Sequence, residues 1–434
     1  MTRLMSMARE KVDQYELYWQ RTHKIDVRYE NFHLQQITEN DLSSVALRVI
    51  DRGRLGFSYG VFPDQPDLLA QAKGAAVFGE QAEFSFSEST SFPQVETHDE
   101  QTASLTSKDL VALCEEVKER IAAVRPDIAL TIQCGAASRR LTVETGAGTH
   151  AEHAATSVSL SLFAPVKGAG SGVGKYQAAI SPFTLPVEMV DEFLQWYSWS
   201  ETASTPKTGR LPVILAPEAS FLLVTPLCAG LSGNAIAKGT SPLCGRMGET
   251  ILADSLTVYD DPLRAGDPAS RPFDDEGIPG QQRALVERGL LRGYLLDLHS
   301  AAKLGEKSTG NGFKRVLFGG GSETTPNPQP GHVVIEPGRT PYAEMIAGLE
   351  EGVLLFSGMG FHSGNYPQGQ FAVQGFGFHI VDGKVKGRLE RTMVAGDIYQ
   401  DMKHIRAVSC ERREGAGSLV PYILVDSLQV AGRP

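Results

Sequence analysis

The sequence is short of positive charge. Its 434 residues include 41 Lys and Arg against 51 Asp and Glu, which leaves a formal net charge of −10 and a pI near 5.6. Proteins that bind nucleic acids normally present a basic face, and no cluster of Lys and Arg interleaved with aromatic residues occurs in this chain. We therefore expect no direct contact with DNA or RNA.

Cysteine and long apolar runs are also scarce. An odd, widely spaced set of cysteines is typical of reduced thiols rather than of a disulfide framework. No apolar run approaches the length of a membrane span, and the first eleven residues lack the apolar core of a signal peptide. The sequence therefore predicts a soluble, cytoplasmic protein with no membrane partner. The five cysteines are Cys114, Cys134, Cys228, Cys244 and Cys410.

The hydrophobic pattern predicts an α+β fold in two parts. A chain of 434 residues with 41% hydrophobic residues has room for two or three domains. Alternating apolar residues predict strands at 15–19, 25–29 and 45–49, and the last returns through a turn at Asp51–Gly53. Helices are expected after a Ser107 cap and from Pro186. We expect a mixed N-terminal α+β domain over residues 1–205 and a mainly antiparallel β C-terminal domain over 206–434.

The stretch at 213–234 has the pattern of a catalytic segment but little of the chemistry. A short apolar strand breaks at Pro217 and is followed by an apolar run that ends in small residues. After Glu218 the run holds no His and no acid, and its candidates for chemistry are Thr225 and Cys228. Pro226 suits a helix only in a first turn, which Thr225 would cap.

This stretch resembles the TldD/PmbA family of metallopeptidase subunits, in which one type of chain carries the motif LLHExxxHGLEGD. Val224 and Ala229 stand where the family has its two metal-binding histidines, and Thr225 stands where it has the general-base Glu. A zinc site needs His, Cys or carboxylate donors. The resemblance therefore implies a degenerate motif, with no catalytic residue and no metal in this chain. The motif positions that match are Leu222, Leu223, Gly230, Leu231 and Gly233.

Further segments match in the family's order, at 273–277, 307–312 and 392–396, and the hairpin around Asp51–Gly53 matches as well. The family's third metal ligand, a Cys near the C-terminus, falls at Ala416, six residues after Cys410. The resemblance suggests a structural or substrate-chamber role for the matching loops. The resulting candidates for substrate or interface contact are Asp274, Asp275, Glu276, Gly277, Thr309, Gly310, Asn311 and Gly312.

Read without the resemblance, the acidic run at 274–276 is either a cation site or a solvated turn. The solvated turn is favoured, because the acids lack the alternating spacing of a calcium loop. The run Gly168–Lys175 resembles a phosphate-binding loop but has Ala169 and Tyr176 at two required positions, which favours a flexible loop near the domain interface. His150 and His153 point to opposite faces of a strand, which argues against a shared metal.

The strand predicted at 370–380 carries glycines on one face. Gly375 and Gly377 would let another backbone approach closely, and an added peptide strand is one backbone that could do so. Both glycines are therefore candidates for substrate or interface contact, and replacing both with Val is predicted to lower peptide affinity while leaving assembly intact.

The resemblance implies the non-catalytic subunit of a TldD/TldE-type zinc metallopeptidase complex that processes peptides. A TldD-type partner would supply the zinc and the base, and the heterodimer would enclose a chamber for peptide or unfolded protein substrates. One alternative is a stand-alone homodimeric peptide-binding or scaffold protein without peptidase activity. Another is a metallopeptidase that has rebuilt its site from Cys228, His362 or His379. On the favoured interpretation the purified chain holds no stoichiometric zinc and no other cofactor.

Overall fold

The structure is a computed structural model that describes residues 2–63, 65, 67–316 and 319–432. Its first half is a six-stranded antiparallel sheet in the spatial order β3-β2-β1-β4-β5-β6. The strands are β1 (Gln14–Glu30), β2 (His33–Asp51), β3 (Arg54–Gly60), β4 (Thr131–Thr145), β5 (His150–Pro165) and β6 (Gly172–Ala179). The helices of this half are α1 (Thr2–Lys11), α2 (Leu68–Ala76), α3 (Glu100–Ala103), α4 (Ser107–Val124) and α5 (Val187–Ser200).

Strands β7 to β20 follow in the second half. They are β7 (Ala203–Ser204), β8 (Gly209–Leu215), β9 (Val258–Asp260), β10 (Arg283–Glu287), β11 (Leu290–Leu291), β12 (Gly312–Phe313), β13 (Asn327–Pro328), β14 (Val333–Ile335), β15 (Glu351–Met359), β16 (Gln370–Val381), β17 (Lys384–Leu389), β18 (Thr392–Asp397), β19 (Ile405–Gly415) and β20 (Ser418–Gly432). Apart from β12 and β13, which pair with each other, they form one twelve-stranded sheet. Most of its pairs are antiparallel, and β8–β15, β14–β20 and β7–β17 are parallel.

Five short helices accompany this second sheet. They are α6 (Phe221–Leu231), α7 (Gly233–Ala237), α8 (Leu298–Leu304), α9 (Tyr342–Ala347) and α10 (Ile398–Asp401), with 3₁₀ turns at Pro217–Ala219, Phe361–Ser363 and Tyr366–Gln368. The predicted α+β class, with a mainly antiparallel second half, is confirmed. None of the helices in the described ranges is long and apolar enough to cross a membrane.

Two local predictions need correction. The strands expected at 15–19 and 25–29 are one strand, β1, because its polar middle is paired on both sides, Arg21 with Ser43 of β2 and with Arg140 of β4. The cap of α4 is Thr106 rather than Ser107, since Thr106 and Asp109 form a capping box across the first turn. The hairpin at Asp51–Gly53 is confirmed, with β2 and β3 pairing across it.

The two sheets share one hydrophobic core. Helices α4 and α5 contribute apolar residues to a cluster that also contains Ile132 of the first sheet and Leu354 of the second. Trp196 of α5 is fully buried there, with its ring 5.7 Å from that of Phe378. Strand β7 already belongs to the second sheet, and the boundary expected at 205/206 stays a prediction.

A buried lysine ties the halves together at the start of α6. Lys175, in β6, places its Nζ 2.7 Å from Glu218 Oε1 and 3.1 Å from Glu192 Oε2, and 3.2 Å from the centre of the Trp196 ring. The predicted flexible loop is therefore wrong for its last four residues, 172–175, which lie in β6. This contact fixes the 3₁₀ turn directly before α6 against the first sheet.

Candidate functional site

Helix α6 carries the motif positions and is buried along most of its length. It begins at Phe221, with the backbone N–H groups of Leu223 and Val224 donating to Ser220 O. Pro226 therefore lies inside the helix rather than in a first turn capped by Thr225. Proline lacks the N–H that would bond four residues back, and burial of the surrounding apolar residues compensates for the missing bond.

One face of α6 lines a cavity of about 570 Å³. The helix contributes Val224, Thr225, Cys228 and Ala229 to the lining, and Ala416 also lines this cavity. The four positions that the sequence comparison assigned to metal ligands and base, Val224, Thr225, Ala229 and Ala416, therefore meet at one cavity although one of them is far away in the chain.

The residues at these positions do not fit a zinc ion. Val224, Ala229 and Ala416 have no donor atom, and Thr225 offers a neutral hydroxyl where the chemistry needs a base or a strong ligand. Burial raises the pKa of the neighbouring Cys228 thiol to about 12, and a single sulfur donor among these positions does not make up the ligand set of a zinc site. Cys410 is exposed and is not among the residues that line the cavity.

A second cavity, of about 560 Å³, adjoins the first and lies between the two halves of the chain. Asn234, Lys238 and Asn327 line both cavities. The first half contributes Arg48 and Phe84, among others, to the second cavity. The first cavity lies beside the motif helix, and the second reaches residues of the first sheet.

The acidic run at 274–276 is buried, so the solvated turn expected from the sequence is wrong. Asp274 and Glu276 have no exposed surface, and Asp275 has almost none. Two arginines compensate the charge. Arg271, four residues before Asp275, places its Nη2 2.6 Å from Asp275 Oδ1, and the distant Arg48 places its Nη2 2.8 Å from Glu276 Oε1. Burial raises the pKa of Glu276 to about 7, against the opposing effect of Arg48.

The two loops matched to the family pack on each other and on the cavity wall. The backbone N–H of Gly312 donates to Asp274 Oδ2 at 2.8 Å. Asn311 Nδ2 donates to Asp260 Oδ2 at 2.5 Å and to Gln329 O at 3.0 Å, and Gln329 lines the cavity beside α6. The Thr309 hydroxyl donates to Asn311 Oδ1 at 2.6 Å. These candidates therefore hold the wall of the cavity in shape from behind.

Glycine conformation explains two further candidates. Gly310 and Gly277 have φ values of +76° and +72°, in the left-handed region that disfavours other residues. A Cβ on Gly277 would also lie 2.9 Å from Thr149 Cγ2. Both glycines shape the loops, and neither contributes a side chain to the cavity.

The expectation of an added peptide strand at Gly375 and Gly377 is wrong. Both residues are buried, and β15 already pairs with this edge of β16, Gly375 opposite Gly358 and Gly377 opposite Leu355. On the other edge β16 pairs with β18 over residues 370–374 and with β17 over residues 378–381, on either side of the two glycines. The close approach that the glycines allow is made by the chain's own backbone.

The histidines singled out in the sequence do not build a second site around Cys228. His379 Nδ1 lies 2.8 Å from Ser204 Oγ, and His153 Nε2 lies 2.8 Å from Thr97 Oγ1. His362 lies in the 3₁₀ turn at 361–363, and neither it nor His379 lines the cavity beside Cys228. The structure thus gives no support to a site rebuilt from Cys228, His362 or His379.

Several cavity residues were missed by reasoning from the sequence. Lys238, Arg315 and His332 line the cavity beside α6, yet none belongs to a motif with recognisable spacing. Each reaches the cavity through long-range folding, and no local pattern marks it.

Two parts of the chain match models of known protein families. Residues 208–432 match the family model of the PmbA/TldA metallopeptidase C-terminal domain, and residues 15–71 match that of PmbA/TldA metallopeptidase domain 1. The chain is 26% identical over 227 residues to the metalloprotease PmbA homolog of Haemophilus influenzae, covering 52% of this chain and 47% of that protein. It is 26% identical over 242 residues to the zinc metalloprotease TldD homolog of Saccharolobus solfataricus, covering 53% of each. The aligned part spans about half the length of these curated relatives.

Solved structures share the whole fold. TldE from Thermococcus kodakarensis superposes with a TM-score of 0.88 at 24% identity, covering 100% of both chains. A protein from Thermotoga maritima described as a modulator of a DNA gyrase superposes with a TM-score of 0.86 at 22% identity, covering 99% of both. At such identities the likeness establishes the fold.

Proposed function

This chain belongs to the PmbA/TldD metallopeptidase family, and on that premise we propose that it acts in peptide breakdown as the subunit without the catalytic metal. One observation carries the proposal: Val224, Thr225, Ala229 and Ala416 line a cavity where the family pattern expects metal ligands and a base, and three of them have no donor atom. A cavity of this kind without its catalytic groups suits a binding role better than a hydrolytic one.

The volume and lining of the two neighbouring cavities suit a peptide. Pockets of several hundred Å³ with a few polar groups are typical of ligand sites. Lys238 lines both cavities. Among the described residues, it forms no ion pair with a carboxylate. A lysine without an internal partner is available to a peptide carboxylate or carbonyl oxygen.

A TldD-type chain is the partner that this role requires. The family contains chains named zinc metalloprotease TldD homolog, and a solved neighbour of the same fold is named TldE. In our proposal the TldD-type chain supplies zinc and base, and this chain closes part of the chamber that holds the peptide.

The first prediction concerns division of labour between the two chains. We expect the isolated chain to leave a flexible peptide intact, because no general base stands at the motif positions. A TldD-type chain from the same genome should co-elute with this chain. The mixture should hydrolyse the peptide severalfold faster than the TldD-type chain does by itself. Size-exclusion chromatography with light scattering and a fluorogenic peptide assay measure both effects.

A matched control separates assembly from catalysis. A TldD-type partner whose general-base Glu is changed to Gln should co-elute equally well and show no turnover. If the wild-type chain neither binds such a partner nor changes its turnover, and elutes as a dimer of itself, the homodimeric peptide-binding scaffold replaces the proposal.

The second prediction is that placing the family's motif residues in α6 does not create peptidase activity. The triple variant Val224→His, Thr225→Glu, Ala229→His should show no zinc-dependent hydrolysis on its own. Its two histidines stand five residues apart, which turns them about 140° from each other on a regular helix. Ala416 still supplies no third ligand.

The measurement is peptide turnover with and without added zinc. A quadruple variant that also carries Ala416→Cys is the informative comparison, because Ala416 lines the same cavity. Robust hydrolysis by the triple variant would contradict the prediction and would show that this scaffold is closer to catalysis than the geometry of α6 indicates.

A further inference from the structure

Three potential metal ligands from distant parts of the chain meet at the wall of the cavity beside α6. Asp267, His332 and Glu414 each offer a donor atom, and the three atoms lie within 4.8 Å of one another. His332 Nδ1 is 3.3 Å from Asp267 Oδ2, and His332 Nε2 is 3.6 Å from Glu414 Oε1. His332 is also one of the residues that line the cavity.

The imidazole of His332 is buried without a hydrogen bond. Its side chain has no exposed surface, and neither ring nitrogen has a hydrogen-bond partner in the described part of the chain. Buried polar atoms are nearly always paired, and leaving one unpaired costs about 1–3 kcal/mol. Each ring nitrogen has a carboxylate oxygen nearby, but neither contact has the geometry of a hydrogen bond.

The backbone holds this histidine in place. The N–H of His332 donates to Asp260 Oδ1 at 2.9 Å, directly before β14 begins. Asp260 is itself anchored by the side chain of Asn311. A ligand fixed in this way loses little conformational entropy when it binds an ion.

The charges around His332 favour a cation. Asp267 Oδ2 faces its Nδ1 at 3.3 Å, and Glu414 Oε1 faces its Nε2 at 3.6 Å. Arg264 lies near Asp267, with Nε 3.6 Å from Oδ2, and is shared with Asp261. Two carboxylates thus face one imidazole and one shared guanidinium, which leaves room for a further positive charge.

We propose that Asp267, His332 and Glu414 bind a divalent transition-metal ion. One imidazole nitrogen and two carboxylate oxygens suit Zn²⁺, Co²⁺ or Mn²⁺. Three protein ligands leave coordination positions for water. The site shares no residue with the motif positions of α6 and does not depend on the proposed function. A bound ion at this site would contradict the expectation, made from the sequence, that the purified chain holds no metal.

Metal titration of the full-length chain tests the site. After treatment with EDTA and its removal, Zn²⁺ is titrated by calorimetry and Co²⁺ by visible absorption. We expect about one equivalent per chain, without the intense near-ultraviolet band of a thiolate ligand. His332→Gln should weaken binding at least tenfold, because it removes the nitrogen ligand from the set.

The chain offers a matched control. His150 also lies between two carboxylates, 3.8 Å from Glu144 and 3.8 Å from Glu152, but it is exposed. His150→Gln should therefore leave binding unchanged. Glu414→Gln, at a partly exposed and nearly isosteric position, should weaken binding as His332→Gln does, and circular dichroism checks the folding of each variant.

Two outcomes overturn the proposal. If the wild-type chain takes up no metal, Asp267, His332 and Glu414 do not form a metal site. If folded Glu414→Gln and His332→Gln chains bind as tightly as the wild type, the metal lies elsewhere. Should His332→Gln fail to fold, Glu414→Gln decides between these results.

Discussion

Replacing Arg48 with methionine is expected to lower the free energy of unfolding by about 3–5 kcal/mol, because two buried carboxylates then lose their cation. Arg48 Nε donates to Glu16 Oε1 at 2.8 Å, and its Nη2 donates to Glu16 Oε2 at 2.5 Å and to Glu276 Oε1 at 2.8 Å. The side chains of Arg48, Glu16 and Glu276 are 7%, 1% and 0% exposed. This contact joins β1 and β2 to the acidic loop of the second half.

The loss of stability in Arg48→Met should increase with pH. The pKa of Glu276 is raised to about 7 in the folded chain, above its ordinary value in the unfolded chain. Below that pH Glu276 takes up a proton and needs the guanidinium less, whereas above it the carboxylate is charged. The stability difference between Arg48→Met and wild type should therefore grow as the pH rises through about 7.

Arg406→Met is the matched control for this variant. Arg406 Nη2 lies 2.6 Å from Asp426 Oδ1, a distance like those at Arg48, but the two side chains are 45% and 55% exposed. Exposed pairs contribute about 0–1 kcal/mol. Urea denaturation of both variants at several pH values gives the comparison. If both variants lose the same free energy of unfolding, the buried ion pairs of Arg48 stabilise the fold no more than an exposed pair does.

Gly377→Ala should lower the free energy of unfolding by at least about 3 kcal/mol, the upper part of the range for overpacked sites. A Cβ on Gly377 would lie 2.0 Å from Leu354 O, which is backbone of the neighbouring strand β15 and cannot move aside as a side chain would. This expectation replaces the earlier one, in which valines at Gly375 and Gly377 lowered peptide affinity and left assembly intact.

Gly74→Ala provides the control, because no atom lies within 4 Å of its ideal Cβ in α2. Alanine is favoured over glycine inside a helix by about 0.5–1 kcal/mol, so this variant should be slightly more stable than wild type. Thermal unfolding followed by circular dichroism measures both. A Gly377→Ala chain as stable as wild type would mean that β15 and β16 can separate at this point without loss.

Local features of this protein were determined by the sequence alone. The apolar spacing of α4 and the turn between β2 and β3 depend on residues that are neighbours in the chain, so the α+β class could be read from them. The absence of metal ligands at Val224, Thr225 and Ala229 likewise follows from the residue types alone.

Burial and pairing were decided only by the tertiary structure. The acids at 274–276 look solvated in the sequence because Arg48, which compensates Glu276, is more than two hundred residues away. The glycine face of β16 looks open until β15 is placed against it. His332 meets Asp267 and Glu414 only through the packing of β14 and β20 side by side, with β19 next to β20. Each of these depends on contacts between distant segments, and no local period in a sequence records such contacts.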